Sequence, residues 1–128
     1  MPCLETSFVI DVLQGRKGAR PVMEEIRDEK GRPTVTPVTA SELWVGAYFG
    51  SAAELEAAQH LLDSLTWLDF SRDCARRAGR LRADLAQDGS PLGIADCMIA
   101  SMAMEHGQTL VTRDGDFERV PDLRLRTY

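Results

Sequence analysis

Cysteine is scarce in this sequence. The three that occur, Cys3, Cys74 and Cys97, are odd in number and far apart, and none has a second cysteine two residues away. They form neither a disulfide framework nor a cysteine zinc site, and the pattern suits a reducing cytoplasm. Small buried hydrophobes are the reading they favour. Long apolar runs are missing too: none approaches the ~18–20 residues needed to cross a bilayer, so no membrane role is expected. The opening residues, MPCLETSFVIDVL, carry an acid and no basic leader, unlike a secretory signal. The two histidines, His60 and His106, lack the spacing of a shared metal site. No glycine-rich phosphate loop is present and no Ser–His–Asp set can be built, which lowers nucleotide-binding and serine-hydrolase alternatives. Positive charge is in deficit, with 15 Lys and Arg against 20 Asp and Glu and a net charge of −5. That is not the usual footprint of non-specific nucleic-acid binding. A phosphate substrate would have to be recruited locally, by arginines or by metal ions.

What is present is an ordinary globular composition, 44% hydrophobic over 128 residues, expected to form one domain spanning 1–128. Short β-type segments alternate with longer helical patterns, which predicts βαβ units and a mainly parallel sheet. Strands are expected at 2–5, at TVTPV (34–38), at TWLDF (66–70), at QTLVT (108–112) and at LRLRT (123–127). Helices are expected from a Thr6 or Ser7 cap to about Leu13, over 19–30, after a Thr39 or Ser41 cap, over 52–64, from Ser71 to about Asp88, and over 94–106. Helices on both faces of a short sheet make an α/β protein, a three-layer α/β/α sandwich.

The carboxylates fall at the seams of this layout. Glu5 ends strand one, Glu42 is expected in the first turn of the helix after strand two, and Asp114 and Asp116 follow strand four. In an open parallel sheet the strand C-termini and the following helix N-termini share one edge, where ligand sites gather. Glu5, Glu42 and Asp114 meet there by that rule. Asp96, in the first turn of the helix before strand four, needs the tertiary fold to join them. Clustered carboxylates repel one another, and a hard divalent cation, Mg²⁺ or Mn²⁺, is the usual remedy. Such an ion can activate water for phosphodiester hydrolysis. An acid in a first helical turn, taken alone, more commonly caps the helix or complements its dipole.

The surroundings of these acids resemble the PIN-domain family, and specifically the VapC-like toxins of toxin–antitoxin operons. The matching stretches are LETSFVIDVL (4–13), TPVTASELWVGA (36–47), GSPLGIADCMIA (89–100) and LVTRDGDF (110–117), in order along essentially the whole chain. The resemblance implies a PIN-like fold and a Mg²⁺- or Mn²⁺-dependent endoribonuclease acting on RNA. It carries over Glu5, Glu42, Asp96 and Asp114 as the catalytic acids. Glu5, Asp96, Asp114 and Asp116 are the expected metal ligands, with Asp114 ranked above Asp116. Thr6 and Thr112 match small hydroxyl residues that line such sites. A VapB-like antitoxin partner, and a homodimer or toxin–antitoxin hetero-oligomer, are further implications. One departure is Glu5 itself, where the family usually has Asp; activity is expected to survive it, because the charge and both oxygens remain.

Other features have milder readings. Arg113 abuts the acidic edge and is placed to contact phosphate or to pair with a carboxylate. Arg72, Arg76 and Arg80 share a helix face, which is either a solvated surface or a guide for an RNA backbone. Asp11 is expected to be a solvent-facing or structural acid rather than a ligand. Trp44, Tyr48 and Phe49 suggest core or partner packing more than base stacking. The alternative function is a non-catalytic PIN-like module binding RNA or protein. A phosphatase built on DGD (114–116) is remote, since that motif belongs after the first strand.

Overall fold

A computed structural model describes residues 1–29 and 31–128. Five very short strands form its centre: β1 (Pro2–Leu4), β2 (Thr34–Val35), β3 (Thr66–Trp67), β4 (Thr109–Val111) and β5 (Leu125–Arg126). They line up in the order β3-β2-β1-β4-β5, and every described pairing is parallel. Six helices surround them: α1 (Thr6–Leu13), α2 (Ala19–Asp28), α3 (Pro37–Phe49), α4 (Ala52–Asp63), α5 (Arg72–Gln87) and α6 (Ile94–Glu105). Side chains alternate across a strand, so neighbouring residues serve opposite layers. Cys3 and Leu110 pack with α5 and α6 residues such as Leu81, Leu85, Ile99 and Met102. Leu4 and Val111 pack on the other face with Phe8, Val9, Ile26, Leu43 and Leu62. The expected three-layer sandwich is what forms.

The strands are shorter than their sequence pattern suggests, for local reasons. The expected strand TVTPV stops at Val35 because Thr36 turns out of the sheet and caps α3, its hydroxyl accepting the Thr39 amide at 3.1 Å. Pro37 then occupies the first helical position, where its missing N–H costs nothing. Thr36, not Thr39 or Ser41, is therefore the cap, and Glu42 lies in the second turn of α3 rather than the first. Likewise α1 is capped by Glu5 itself, whose side chain accepts the Ser7 amide, rather than by Thr6 or Ser7. The helix expected over 19–30 ends at Asp28; Lys30 lies outside the described residues. A short 3₁₀ turn at Gly115–Arg119, capped by the Asp114 side chain, has no counterpart in the expected elements. All three cysteines are buried and free, as expected, and burial pushes the Cys3 thiol up to about 12. Tyr48 and Phe49 are not core: Phe49 is 89% exposed. Among the described residues no helix is long and apolar enough to cross a membrane.

Two features of this topology bring the acids toward one place. The chain moves from β1 outward through β2 to β3, then returns to β4 on the other side of β1 and finishes at β5. The reversal point, the crevice beyond the C-terminal ends of β1 and β4, is where open α/β sheets bind ligands. In addition, α5 and α6 run antiparallel. Arg77, early in α5, pairs with Glu105 at the end of α6 at 2.8 Å, and Arg82, further along α5, donates to the Leu92 carbonyl just before α6 at 3.1 Å. The hairpin brings the start of α6 back to the crevice.

Candidate functional site

Glu5 is the hub of the crevice. It follows β1 directly and is only 4% exposed. Its extra methylene lets the carboxylate fold back over the start of α1, where Oε1 and Oε2 accept the Ser7 amide at 3.2 and 3.1 Å. Oε1 also accepts the Ser7 hydroxyl at 2.6 Å and the Thr112 hydroxyl. Each hydroxyl has one proton to give, and both protons go to Glu5. Each then accepts a main-chain amide from the loop after β4, Arg113 N to Ser7 Oγ at 3.1 Å and Asp114 N to Thr112 Oγ1 at 2.9 Å. Ser7 and Thr112 approach to 3.2 Å with no proton left to share. One carboxylate thus ties the start of α1 to the exit of β4. Thr112 is a sequence-expected member of the site. Ser7 is an addition, although its place two residues after an acid at a strand end is the spacing of a side chain closing on a helix N-terminus.

Glu42 reaches the same place from α3. Thr6, next to Glu5 in the chain, donates its hydroxyl to Glu42 Oε1 at 2.7 Å and also lies 3.2 Å from the Thr39 hydroxyl. Glu42 is exposed and stands at the lip of an apolar groove of about 440 Å³ lined by Ile10, Leu13, Leu43, Ala47 and Ala58. Asp114 offers Oδ1 to the Asp116 amide at 2.9 Å. The Asp116 carboxylate turns to Arg119 at 3.3 Å, and Arg119 donates to the Pro91 carbonyl at 2.8 Å. Asp116 therefore braces the turn that launches α6, while Phe117 beside it is fully buried.

Asp96 completes the set. It lies in the first turn of α6, half-buried, and its carboxyl is pushed up to about 6, first by burial and then by the negative charges of Glu5, Asp114, Glu42 and Asp116. All of these influences push the same way, so the sequence-expected acids do share one electrostatic neighbourhood. Among the described residues, no three acids, histidines or cysteines stand close enough to grip one bare ion. The donor chemistry nonetheless fits a hard divalent cation: every group is an oxygen, no described ion pair neutralises Glu5, Glu42, Asp96 or Asp114, and Mg²⁺ typically keeps several waters between itself and a few carboxylates.

The remaining expectations divide. Arg113 takes the carboxylate option: its Nε and Nη2 donate to Asp11 Oδ2 and Oδ1 at 2.8 and 3.1 Å. Asp11 is 1% exposed, so it is structural and not solvent-facing. It also accepts the Tyr128 hydroxyl and lies 3.3 Å from Arg16 Nε. Its carboxyl is held below the usual range, chiefly by the hydrogen bonds from Arg113. Arg72, Arg76 and Arg80 lie on an exposed face, with Arg80 pairing with Asp84 at 3.4 Å. His106 caps α6 and its Nε2 meets the Asp69 carbonyl at 2.9 Å, away from the acids.

Comparison with known proteins bears on the family and the fold. Residues 3–123 match the family described as PIN domain. The chain is 32% identical to a tRNA(fMet)-specific endonuclease VapC from Shigella flexneri, over 98% of this chain and 96% of that protein. It is 32% identical to the enzyme of the same name from Salmonella typhimurium, over 84% and 83% of the two chains. The crystal structure of DNA-bound VapBC from Salmonella typhimurium contains a chain that superposes with a TM-score of 0.88 at 29% identity, covering 98% of this chain and 96% of that one.

Proposed function

The chain belongs to the PIN-domain family, and from that premise we propose that it is a divalent-metal-dependent endoribonuclease of the VapC type, held in check by a VapB-like antitoxin. The observation that carries the reading is the gathering of Glu5, Glu42, Asp96 and Asp114 around the β1–β4 crevice, with only hydroxyls and main-chain amides as close partners for Glu5.

Glu5, Asp96 and Asp114 are the residues we assign to the ion, with Glu42 held beside them by Thr6. A bound Mg²⁺ or Mn²⁺ supplies an activated water and stabilises the leaving oxygen of a phosphodiester. The chain's own part is positional. Ser7 and Thr112 orient the Glu5 carboxylate by donating to it, and fix the exit of β4 so that Asp114 faces the crevice. Like charges keep the site attractive to a cation, and through it to a phosphate, which answers the net charge of −5. Relatives solved as VapBC complexes favour an antitoxin partner. So do the apolar groove beside Glu42 and the exposed Val45, Tyr48 and Phe49 elsewhere on α3, surfaces suited to another protein chain.

The test is incubation of the purified protein with structured RNA in Mn²⁺, Mg²⁺ or EDTA. Cleavage should require the ion and fall by at least ~100-fold in D96N. Cleavage that persists in EDTA, or an unimpaired D96N, overturns the assignment. The non-catalytic alternative predicts RNA or protein binding with no cleavage under any of these conditions.

A further inference from the structure

An arginine sits inside the acidic sequence RDGD and should, by Coulomb's law alone, fall into the carboxylate cluster. Arg113 has Thr112 on one side, bonded to Glu5, and Asp114 on the other. Its own amide is held by Ser7, a further partner of Glu5. A guanidinium anchored there on a flexible stem would neutralise part of the charge that Glu5, Glu42, Asp96, Asp114 and Asp116 bring together. It does not. Its fork closes on Asp11 with two hydrogen bonds, the geometry that suits guanidinium to carboxylate best.

Asp11 is built to keep it. The carboxylate is 1% exposed, and a buried charge tolerates that only when fully partnered. Two oxygens receive the Arg113 fork, the Tyr128 hydroxyl and the approach of Arg16. Tyr128 is itself fixed by an edge-to-face contact with Phe8, ring centres 5.1 Å apart. The other arginine near Asp114, Arg119, is likewise engaged, between Asp116 and the Pro91 carbonyl.

We propose that Asp11 is a positioning residue of the acidic site: by holding the Arg113 guanidinium one turn along α1 from Ser7, it keeps the protein's own cation out of the place a divalent ion would occupy. This rests on the metal-dependent reading above. Removing the Asp11 charge frees Arg113 to swing onto Asp114 or Asp96, where it competes with the metal. The arginine then acts as an internal inhibitor that Asp11 normally holds off.

The test is calorimetric titration with Mn²⁺ alone of the wild type, D11N, R113Q and the D11N/R113Q double variant, together with the crystal structure of D11N. D11N should bind Mn²⁺ about tenfold more weakly. R113Q and the double variant should stay within about twofold of wild type, since neither has a guanidinium to release. A merely structural Asp11 would leave affinity unchanged in folded D11N, or leave the double variant as weak as D11N; either result overturns the proposal. If D11N does not fold, D11S takes its place with the same two outcomes, and a folded double variant with weakened affinity overturns the proposal. If the wild type binds no Mn²⁺, the metal-dependent reading fails. The D11N structure then decides alone, for Arg113 turned onto Asp114 or Asp96, or against it if it stays beside Tyr128.

Discussion

Thr6 donates its hydroxyl to Glu42 Oε1 at 2.7 Å, so an acid carried by α3 is anchored to the residue that follows Glu5. The bond crosses between two helices at the mouth of the site and is exposed to solvent. Its net worth to stability is therefore on the order of 1 kcal/mol or less. Its value to activity is larger, because it fixes the direction of an otherwise free glutamate. T6V should melt close to the wild type yet cleave RNA about tenfold more slowly, while T6S recovers most of the rate. Equal rates for T6V and wild type would remove Thr6 from the site.

Thr112 makes a heavier contribution. Its hydroxyl gives its proton to Glu5 and receives the Asp114 amide, and the residue is fully buried. T112V leaves an unpaired amide and strips a donor from a buried carboxylate, a loss of about 1–3 kcal/mol. Denaturant melts should register that loss, and T112S should restore most of it.

Asp114 and Asp116 should separate cleanly. Asp114 stands at the crevice, whereas Asp116 spends its carboxylate on Arg119 and braces the turn before α6. D114N is expected to lower metal-supported cleavage by about 100-fold and D116N by only a few-fold. Cleavage rates measured over a Mn²⁺ series would reverse this ranking if Asp116 were the better ligand.

Asp11 gives the fold an acid-sensitive point. Its carboxyl is held below the usual range in the folded chain, chiefly by Arg113. A depressed carboxylate contributes stability that is complete above the unfolded value, about pH 4, and is lost as pH falls through the folded value. Wild-type stability should therefore drop more steeply below about pH 4 than that of D11N/R113Q, which lacks the titrating pair. Parallel acid melts of the two proteins would expose the difference.

Much of this architecture is legible in the sequence because its elements carry strong local signals. Apolar spacing marks α2 and α4, Gly107 with φ +64 marks the end of α6, and the short apolar runs at Cys3–Leu4 and Leu110–Val111 mark β1 and β4. Boundaries fail where a side chain outcompetes the sheet for the backbone, as when Thr36 leaves β2 to cap α3 and Glu5 caps α1. Glu5, Glu42 and Asp114 can be gathered from strand order alone. Asp96 cannot, because its position depends on α5 and α6 doubling back, a relationship held by contacts across the turn such as Arg77–Glu105 and Arg82–Leu92. Ser7 escapes for a different reason: a serine among apolar residues has no distinguishing pattern until the carboxylate it serves is seen to fold backward. Asp11 is readable as a structural acid, but its burial rests on Arg113 and Tyr128, more than a hundred positions away.

The pairing of β1 with β4 has a consequence for the order in which the protein comes to exist. β1 leaves the ribosome well before β4, with Thr112 and Asp114 beyond it, has been synthesised, although Cys3 stands opposite Leu110 across the finished sheet. Contacts this distant in sequence form late in folding, and during synthesis they cannot form at all until the later segment has emerged. Glu5 then has neither Thr112 nor the far wall of its crevice. The acids of the crevice cannot be assembled in a nascent chain that stops short of β4. Completion of the site therefore waits on the emergence of β4 and the loop after it.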